Sequence, residues 1–236
     1  GRWQTIVLAL VDQMAFLMLS GISFEFKNNG AARPGGATGT LPKLVFHKIT
    51  APTTNRHLRV SGSNIAAGDT SLITAGDTLK YKPLVRAKAF LKDTGLRGLR
   101  IGYNDLLHVF VTTSGMADLR LDPDFMAAVK DAGARGKVNP IFDGVDSIMV
   151  DGMMIHEYKY VYNTTGKASG QKWGSGGLVN GMRVLIMGAQ ALGFFDHGAP
   201  GWTEETFDYK NQVGIGTDKV FGVVKPVFHK DWARQP

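Results

Sequence analysis

A chain of 236 residues is long enough to bury a sizeable apolar core, as one large domain or two smaller ones. It contains no cysteine, which excludes disulfides, thiolate metal sites and cysteine nucleophiles. The net charge of +7 is compatible with a polyanionic partner, but the basic residues are scattered singly along the chain. Because nucleic-acid readers concentrate such residues on one element, sequence-specific binding of nucleic acid is disfavoured.

The first segment, residues 1–26, is so apolar that a membrane span must be weighed against a buried helix. Asp12 and Gln13 lie in its middle, and a charged residue at a bilayer centre costs about 3 kcal/mol. No basic cluster precedes the apolar run, as a signal peptide would require. We therefore predict a buried helix of a larger domain, without membrane association. Since the helical pattern starts directly after Gly1, we also expect the chain to begin inside a longer product.

The next two segments differ in character. Residues 27–76 are rich in Gly, Thr, Ala, Ser and Asn, which predicts an extended loop or insertion. Residues 77–104 contain the pattern of a second helix and its connection, with Asp77 as the expected cap. Pro83 either lies in the first turn of this helix or kinks a helix that begins at Thr78.

The remainder, residues 105–236, is richer in strands. A buried strand, YNDLLHVFVTT, precedes a short helix in which Asp122 is the expected cap and Pro123 the first residue. Two β-rich runs then flank Asp151-Gly152, a strong signal for a two-residue hairpin. A glycine-rich loop and further strands follow, and we predict antiparallel sheet throughout this part. The order of elements predicts an α+β fold class.

The stretch WTEETFDYKNQVGIG, residues 202–216, resembles an acid/base cluster at first sight. On a strand, however, Glu204 and Glu205 point to opposite faces and cannot act on one atom. The same alternation is expected to place Phe207 and Tyr209 on the side of Glu205, and Asp208 on the other side. We therefore predict a structural role for these charges.

Signals for other catalytic and metal sites are weak. His156 and Glu157 would suit a zinc protease only with a second histidine four residues after the first, and that position is Tyr160. The six histidines are scattered singly, without metal-ligand spacing. We predict no enzyme activity, no cofactor and no metal.

Five blocks of the sequence, in order, resemble the major capsid proteins of the N-four-like podoviruses. They span residues 50 to 228, and the last is the most specific. The blocks are TNRH, DLLHVFVTTSGMADLRLDPDF, ARGKVNPIFDGVDSIMVDGMMIHEYKYV, RVLIMGAQAL and EETFDYKNQVGIGTDKVFGVVKPVF.

The resemblance implies the Hong Kong 97-type fold of tailed-phage heads, with a peripheral domain around a long spine helix and an axial domain toward the capsomer centre. Residues 1–26 would be a helix of the peripheral domain, and the spine helix would lie within residues 77–104. Residues 105–236 would supply the axial domain and the returning peripheral sheet. Family members also carry an N-terminal arm and an extended loop, which we expect upstream of this chain.

The implied function is a shell subunit that assembles into hexamers and pentamers around double-stranded DNA, in a virion formed in the host cytoplasm. Portal, scaffolding and decoration proteins would be further partners, and DNA would be contacted through its phosphates. Residues expected to anchor the sheet or to form subunit contacts lie in the last block and beside it: Trp202, Glu204, Glu205, Phe207, Asp208, Tyr209, Lys210 and Lys219. Asp208, Lys210 and Lys219 would be free to pair with charges of a neighbour.

Three other functions remain open from the sequence alone. A basic nucleic-acid-binding module would be a compact monomer whose affinity falls with salt. A hydrolase using His156, Glu157 or the acidic strand would need these groups to converge in a pocket. An encapsulin-like compartment shell would share the capsid fold and differ in its cargo.

Overall fold

The computed structural model describes residues 2–33, 49, 51–53, 56–101, 104–132, 147–199 and 201–226. Within these ranges the chain forms four α-helices, one short 3₁₀ helix (Thr70–Leu72) and eleven strands. The helices are α1 (Arg2–Ser20), α2 (Tyr81–Asp93), α3 (Thr113–Leu121) and α4 (Pro123–Ala132). The strands are β1 (Leu58–Ser61), β2 (Asn64–Ala67), β3 (Leu99–Ile101), β4 (Asn104–Val111), β5 (Ser147–Val150), β6 (Met153–Glu157), β7 (Leu185–Met187), β8 (Gly193–Asp196), β9 (Gly201–Phe207), β10 (Gln212–Asp218) and β11 (Phe221–Val224).

The chain divides into two compact units. One unit combines Gly1–Ala15 with Gln190–Pro236, and the other is the continuous stretch Phe16–Ala189. This division differs from the segment boundaries expected from the sequence, because one unit is built from both ends of the chain. The blocks TNRH and ARGKVNPIFDG lie partly or wholly outside the described residues.

The larger unit is organised by a five-stranded sheet with the order β3-β4-β6-β5, in which β7 also pairs with β4. β5 and β6 are antiparallel, as predicted from Asp151-Gly152, and both turn residues have positive φ angles, 49° and 66°. These angles suit the type I′ turn of a two-residue hairpin. β6, however, runs parallel to β4. The prediction of a purely antiparallel sheet is therefore wrong for β6.

One face of this sheet carries the hydrophobic core of the larger unit. Alternate residues of β4, β5 and β6 point to this face and pack against residues of the helices α2, α3 and α4. The most deeply buried members of this cluster are Val109, Val111, Leu119, Phe125, Met153 and Ile155. The near-continuous apolar sequence of β4 and β6 is thus explained by its place in the middle of the sheet.

The start of α2 is capped from a distant part of the chain. Lys80, at the N-cap position, makes no side-chain hydrogen bond to the helix. Instead the buried carboxylate of Asp122 accepts a hydrogen bond from the Tyr81 backbone N–H, at 2.7 Å. The prediction that Asp77 caps α2 is wrong, because its carboxylate accepts the Thr74 and Gly62 N–H groups. Pro83 lies in the first turn, which is the first of the two predicted alternatives.

Sequence reasoning missed α3. The helix begins after Thr112, whose hydroxyl accepts the Gly115 N–H at 3.2 Å, as Ser and Thr commonly do at an N-cap. Gly115 lies in the first turn of this helix, and because glycine has a low helix propensity, the residue types there do not predict a helix. Its lack of a side chain is used in packing, since a Cβ at this position would lie only 2.9 Å from the sulfur of Met182.

The predicted glycine-rich loop connects β6 to β7 and is held by specific contacts. The Thr164 hydroxyl, fully buried, accepts the Gly181 N–H at 2.8 Å, while the Gly181 carbonyl accepts the Thr164 N–H at 2.9 Å. The ring of Trp173 lies against Gly181, where a Cβ would clash with it. Arg183 donates a hydrogen bond to the carbonyl of Ser20, the last residue of α1. The loop thereby fixes the end of that helix.

Candidate interaction surface

The stretch singled out from the sequence forms a hairpin of two long strands, β9 and β10, joined by residues 208–211. We call residues 201–218 the acidic hairpin. In its register Glu204 lies opposite Ile215, and Phe207 lies opposite Gln212. Glu204 and Glu205 therefore occupy opposite faces, as predicted, and cannot converge on one atom.

Both faces of the acidic hairpin carry exposed apolar side chains. Trp202, Val213 and Ile215 lie on the face of Glu204, and each is more than half exposed. Phe207 lies on the face of Glu205, and its ring is positioned over Gly214. Every residue of β9 is exposed. A two-stranded hairpin is marginally stable by itself, and contiguous exposed apolar surface often marks an interaction site.

The alternation predicted beyond Phe207 is not observed, because β9 ends there. Asp208, Tyr209 and Lys210 form the turn, with φ angles of 49°, 51° and 74°. The Tyr209 side chain is fully exposed in the turn, so it does not share a strand face with Phe207. A turn within this stretch is expected from the sequence, but its conformation is not, because Asp208 adopts left-handed angles readily whereas Tyr209 and Lys210 rarely do.

Lys219 has a different role from the predicted one. Its Nζ donates to Asp196 Oδ2 at 2.9 Å and to the Gly198 carbonyl at 3.0 Å. The hydrogen bond from Lys219 is the main cause of the lowered pKa of the Asp196 carboxyl. Lys219 is thus satisfied within its own chain, and the prediction that it is free to pair with a neighbour is wrong.

The charges at the centre and tip of the acidic hairpin are exposed. Across the described part of the chain, Glu204, Glu205, Asp208 and Lys210 form no ion pair with another residue. In sequence the hairpin carries four acids and one lysine, whereas the whole chain has a net charge of +7. It is therefore an acidic element on a basic protein.

A second exposed sheet lies in the same unit. β8 and β11 pair antiparallel, and Lys219 and Asp196 close the connection at one end. Phe194, Phe195 and Val224 of this sheet are more than half exposed. In the unit that contains both sheets, several exposed apolar residues therefore lie on the same sheets, whereas exposed apolar residues on an ordinary protein surface occur singly.

Comparison with known proteins identifies the kind of protein that carries these surfaces. A family model described as a phage capsid protein matches residues 10–234. The chain belongs to the phage capsid protein family. The chain is 45% identical to the major capsid protein of Pseudomonas phage KPP25 over 223 residues. The match covers 92% of this chain and 58% of the KPP25 protein.

Two solved structures share the fold of this phage capsid family member. The capsid of Ralstonia phage GP4 matches with a TM-score of 0.64 and 21% identity, over 92% of this chain and 59% of that one. The capsid asymmetric unit of cyanophage Pam1 matches with a TM-score of 0.65 and 15% identity, over 93% and 61%. The chain thus spans about 60% of the length of these relatives. The predicted α+β class is confirmed, and the fold is consistent with the Hong Kong 97 type.

Two histidines form a pair on the face of the five-stranded sheet that is opposite the core. Their spacing in the sequence does not predict this pair. His108 Nδ1 and His156 Nε2 lie 3.0 Å apart although the residues are 48 positions apart in sequence. Their ring planes are 5° apart, and the 5.2 Å between centroids is too long for face-to-face stacking. The rings therefore lie side by side and share one hydrogen bond. Parallel pairing of β4 with β6 brings them together.

The surroundings of His156 disfavour its charged form. His156 lies over the ring of Phe110, which packs edge-on against Phe16 of α1. His108 Nε2 is buried without a hydrogen-bond partner among the described residues. Burial, followed by the nearby His108, holds the pKa of His156 below its usual value. A shared N–H···N bond also requires one neutral ring as acceptor.

We predict that the larger unit loses stability as the pH falls from about 7 to 5. The unfolded chain binds a proton near pH 6.5, whereas folded His156 resists it, so the unfolded state gains protons first. Denaturant unfolding at several pH values would measure this loss. His156→Gln should flatten the profile, while the matched change at exposed His197 should not. His57, whose pKa burial also lowers, would leave a residual slope.

Neither a metal-binding cluster nor a membrane-spanning helix occurs within the described ranges. There, no three His, Cys, Asp or Glu side chains lie close enough together to hold a metal ion. The helices within those same ranges include none that is long and apolar enough to cross a bilayer.

Proposed function

We propose that this chain is the shell-forming region of a phage major capsid protein, which assembles into hexamers and pentamers around double-stranded DNA. The observation that carries the proposal is the 45% identity to a protein named a major capsid protein, over 92% of the chain. The exposed apolar faces of the acidic hairpin support it, because a subunit that is buried by neighbours in a shell is expected to carry such surfaces.

The finer expectations are part of the same proposal. The five resembling blocks favour the N-four-like podovirus group within the family. The same resemblance implies that the protein is assembled in the host cytoplasm and ends in the virion. Contacts with portal, scaffolding and decoration proteins, and with the phosphates of packaged DNA, are expected from the resemblance. Trp202, Glu204, Glu205 and Phe207 are proposed as subunit-contact residues, together with the tip residues Asp208, Tyr209 and Lys210.

The place of the spine helix is proposed differently from the sequence-based expectation. The resemblance implies a peripheral domain around a long helix, and the longest helix within the described ranges is α1, with 19 residues against 13 in α2. We therefore propose α1 as the spine. The larger unit, with its sheet and the helices α2, α3 and α4, is then proposed as the axial domain.

The alternatives find less support. Relatives of the chain are named as capsid proteins, which are structural components rather than enzymes. A hydrolase would need its acids to converge, but Glu204 and Glu205 point to opposite faces and His156 is bonded to His108. The acidic hairpin carries four acids and one lysine, which disfavours a nucleic-acid-binding surface there.

The direct test is light scattering of the full-length product that contains this chain, with negative-stain images of the same fraction. Closed particles or ring-shaped capsomers are expected. The double change Val213→Thr and Ile215→Thr should lower the yield of particles, because it removes apolar surface without touching a buried residue. A full-length product that stays monomeric at high concentration would contradict the proposed function.

The same variant separates an interface from a folding role. Since Val213 and Ile215 are each more than half exposed, their replacement should change the free energy of unfolding of the isolated chain by less than about 0.5 kcal/mol. A larger loss of stability, in step with the loss of particles, would mean that these residues serve the fold.

A further inference from the structure

The acidic hairpin requires a partner with particular chemistry. Its faces present apolar side chains, Trp202 and Ile215 on one and Phe207 on the other, next to Glu204 and Glu205. These two carboxylates form no ion pair across the described residues of the chain. A matching surface must therefore be partly apolar and basic. Nucleic acid does not fit, because its phosphates would face the carboxylates.

The chain itself contains such a surface. Most basic residues are scattered along the chain, but residues 80–100 are an exception, with seven basic residues against one acid, Asp93. We call this stretch, which comprises α2 and the start of β3, the basic segment. Two of the seven are used locally: Lys82 pairs with Asp124 at 3.0 Å, and Lys88 pairs with Asp151 at 2.9 Å.

Other cations of the basic segment are exposed and available. Arg86, Lys92 and Arg97 are exposed and form no ion pair with any residue that the structure describes. Leu99, the first residue of β3, is almost half exposed. β3 pairs with β4, at the end of the strand order of the five-stranded sheet. The basic segment thus combines unpaired positive charge with apolar surface.

From this complementarity we propose that the acidic hairpin of one copy docks on the basic segment of a second copy. The inference rests on the proposed shell function and names one of its contacts. Because the two surfaces differ, the contact is heterologous, and heterologous contacts are the kind that generate closed rings when the rotation between copies closes. A capsomer built in this way would place a hairpin on each successive neighbour.

Charge reversal tests the electrostatic part of the proposal. In the full-length product, Glu204→Lys combined with Glu205→Lys should reduce the fraction of protein in particles by about tenfold or more, because like charges would face each other. The matched control is Glu25→Lys with Asp131→Lys, which changes the net charge equally at exposed positions outside both surfaces. The control should assemble like the unmodified protein.

A reciprocal change tests which surface is the partner. Arg86→Glu with Lys92→Glu should also impair assembly by itself. Mixing these subunits with the Glu204→Lys, Glu205→Lys subunits should recover part of the particle yield. In a ring that alternates the two variants every contact joins opposite charges, because a reversed hairpin meets a reversed segment and an unmodified hairpin meets an unmodified segment. Failure of the reciprocal variant to impair assembly would overturn the assignment of the basic segment.

Cross-linking tests the contact without relying on charge. Because the chain has no cysteine, Thr206→Cys and Ala89→Cys each introduce a single thiol, at exposed positions of the acidic hairpin and of α2. Under mild oxidation a mixture of the two variants should give a disulfide-linked dimer, and neither variant alone should do so. A dimer from Thr206→Cys alone would indicate contact between two hairpins and overturn the proposal.

The outcomes distinguish the two levels of inference. If the unmodified product forms no particles or rings, the proposed function fails. If it assembles and the hairpin variants assemble equally well without mixed cross-links, only the hairpin contact is wrong.

Discussion

Replacing Phe125 with alanine is expected to lower the free energy of unfolding of the larger unit by about 3–5 kcal/mol. The side chain is fully buried in the cluster between the sheet and its helices. It also meets the ring of Tyr81 edge-on, with 6.0 Å between centroids. Alanine would remove this contact and leave a cavity that the rigid sheet cannot fill.

Urea unfolding followed by circular dichroism would measure the effect of Phe125→Ala as a lower midpoint with an unchanged slope. Leu121→Ala provides the matched control, because that leucine is nearby in sequence but 82% exposed, and its loss should change stability by less than about 0.5 kcal/mol. Equal effects of the two changes would contradict the position of Phe125 in the core.

Local signals in the sequence were sufficient for several elements. Asp151-Gly152 predicted the hairpin of β5 and β6, since few residue pairs adopt two consecutive positive φ angles readily. Pro123 predicted the start of α4, because its fixed φ suits a first turn. The opposite directions of Glu204 and Glu205 followed from the two-residue alternation of side chains along a strand, and the register of β9 with β10 is regular along its whole length.

Contacts between distant parts of the chain could not be predicted in the same way. The parallel pairing of β4 and β6 brings His108 to His156, and no spacing rule joins positions 48 residues apart. The local ion pair of Lys219 with Asp196 depends on the pairing of β8 with β11. Likewise, one compact unit combines the two ends of the chain, which composition along the sequence does not reveal.

The acidic hairpin shows how far the sequence-based interpretation of the candidate site reached. Its strands and its exposed charges followed from alternation, but the backbone conformation of its turn did not, because Tyr209 adopts a conformation that bulky residues rarely take. The exposure of Trp202 and Ile215 is also a tertiary property, since apolar residues on a strand are usually expected to face a core.

A second large effect is expected at Asp122. The side chain is only 7% exposed. Its carboxylate accepts a hydrogen bond from the backbone N–H of Tyr81 at the start of α2, and the two residues are 41 positions apart in sequence. Asp122→Ala would leave this N–H without its acceptor and remove a hydrogen bond to a charged group, at a cost of about 1.5–3 kcal/mol. Asp122→Asn keeps an acceptor oxygen of similar size and should cost less.

Hydrogen exchange at the Tyr81 amide would separate this role from a general loss of packing. Its protection should fall in Asp122→Ala by more than that of amides in β4, and should be largely retained in Asp122→Asn. If alanine and asparagine had the same effect at Tyr81, the carboxylate would not be the cap. Because α2 carries Arg86 and Lys92 of the basic segment, loosening its first turn should also weaken the proposed contact with the acidic hairpin, although Asp122 itself is buried.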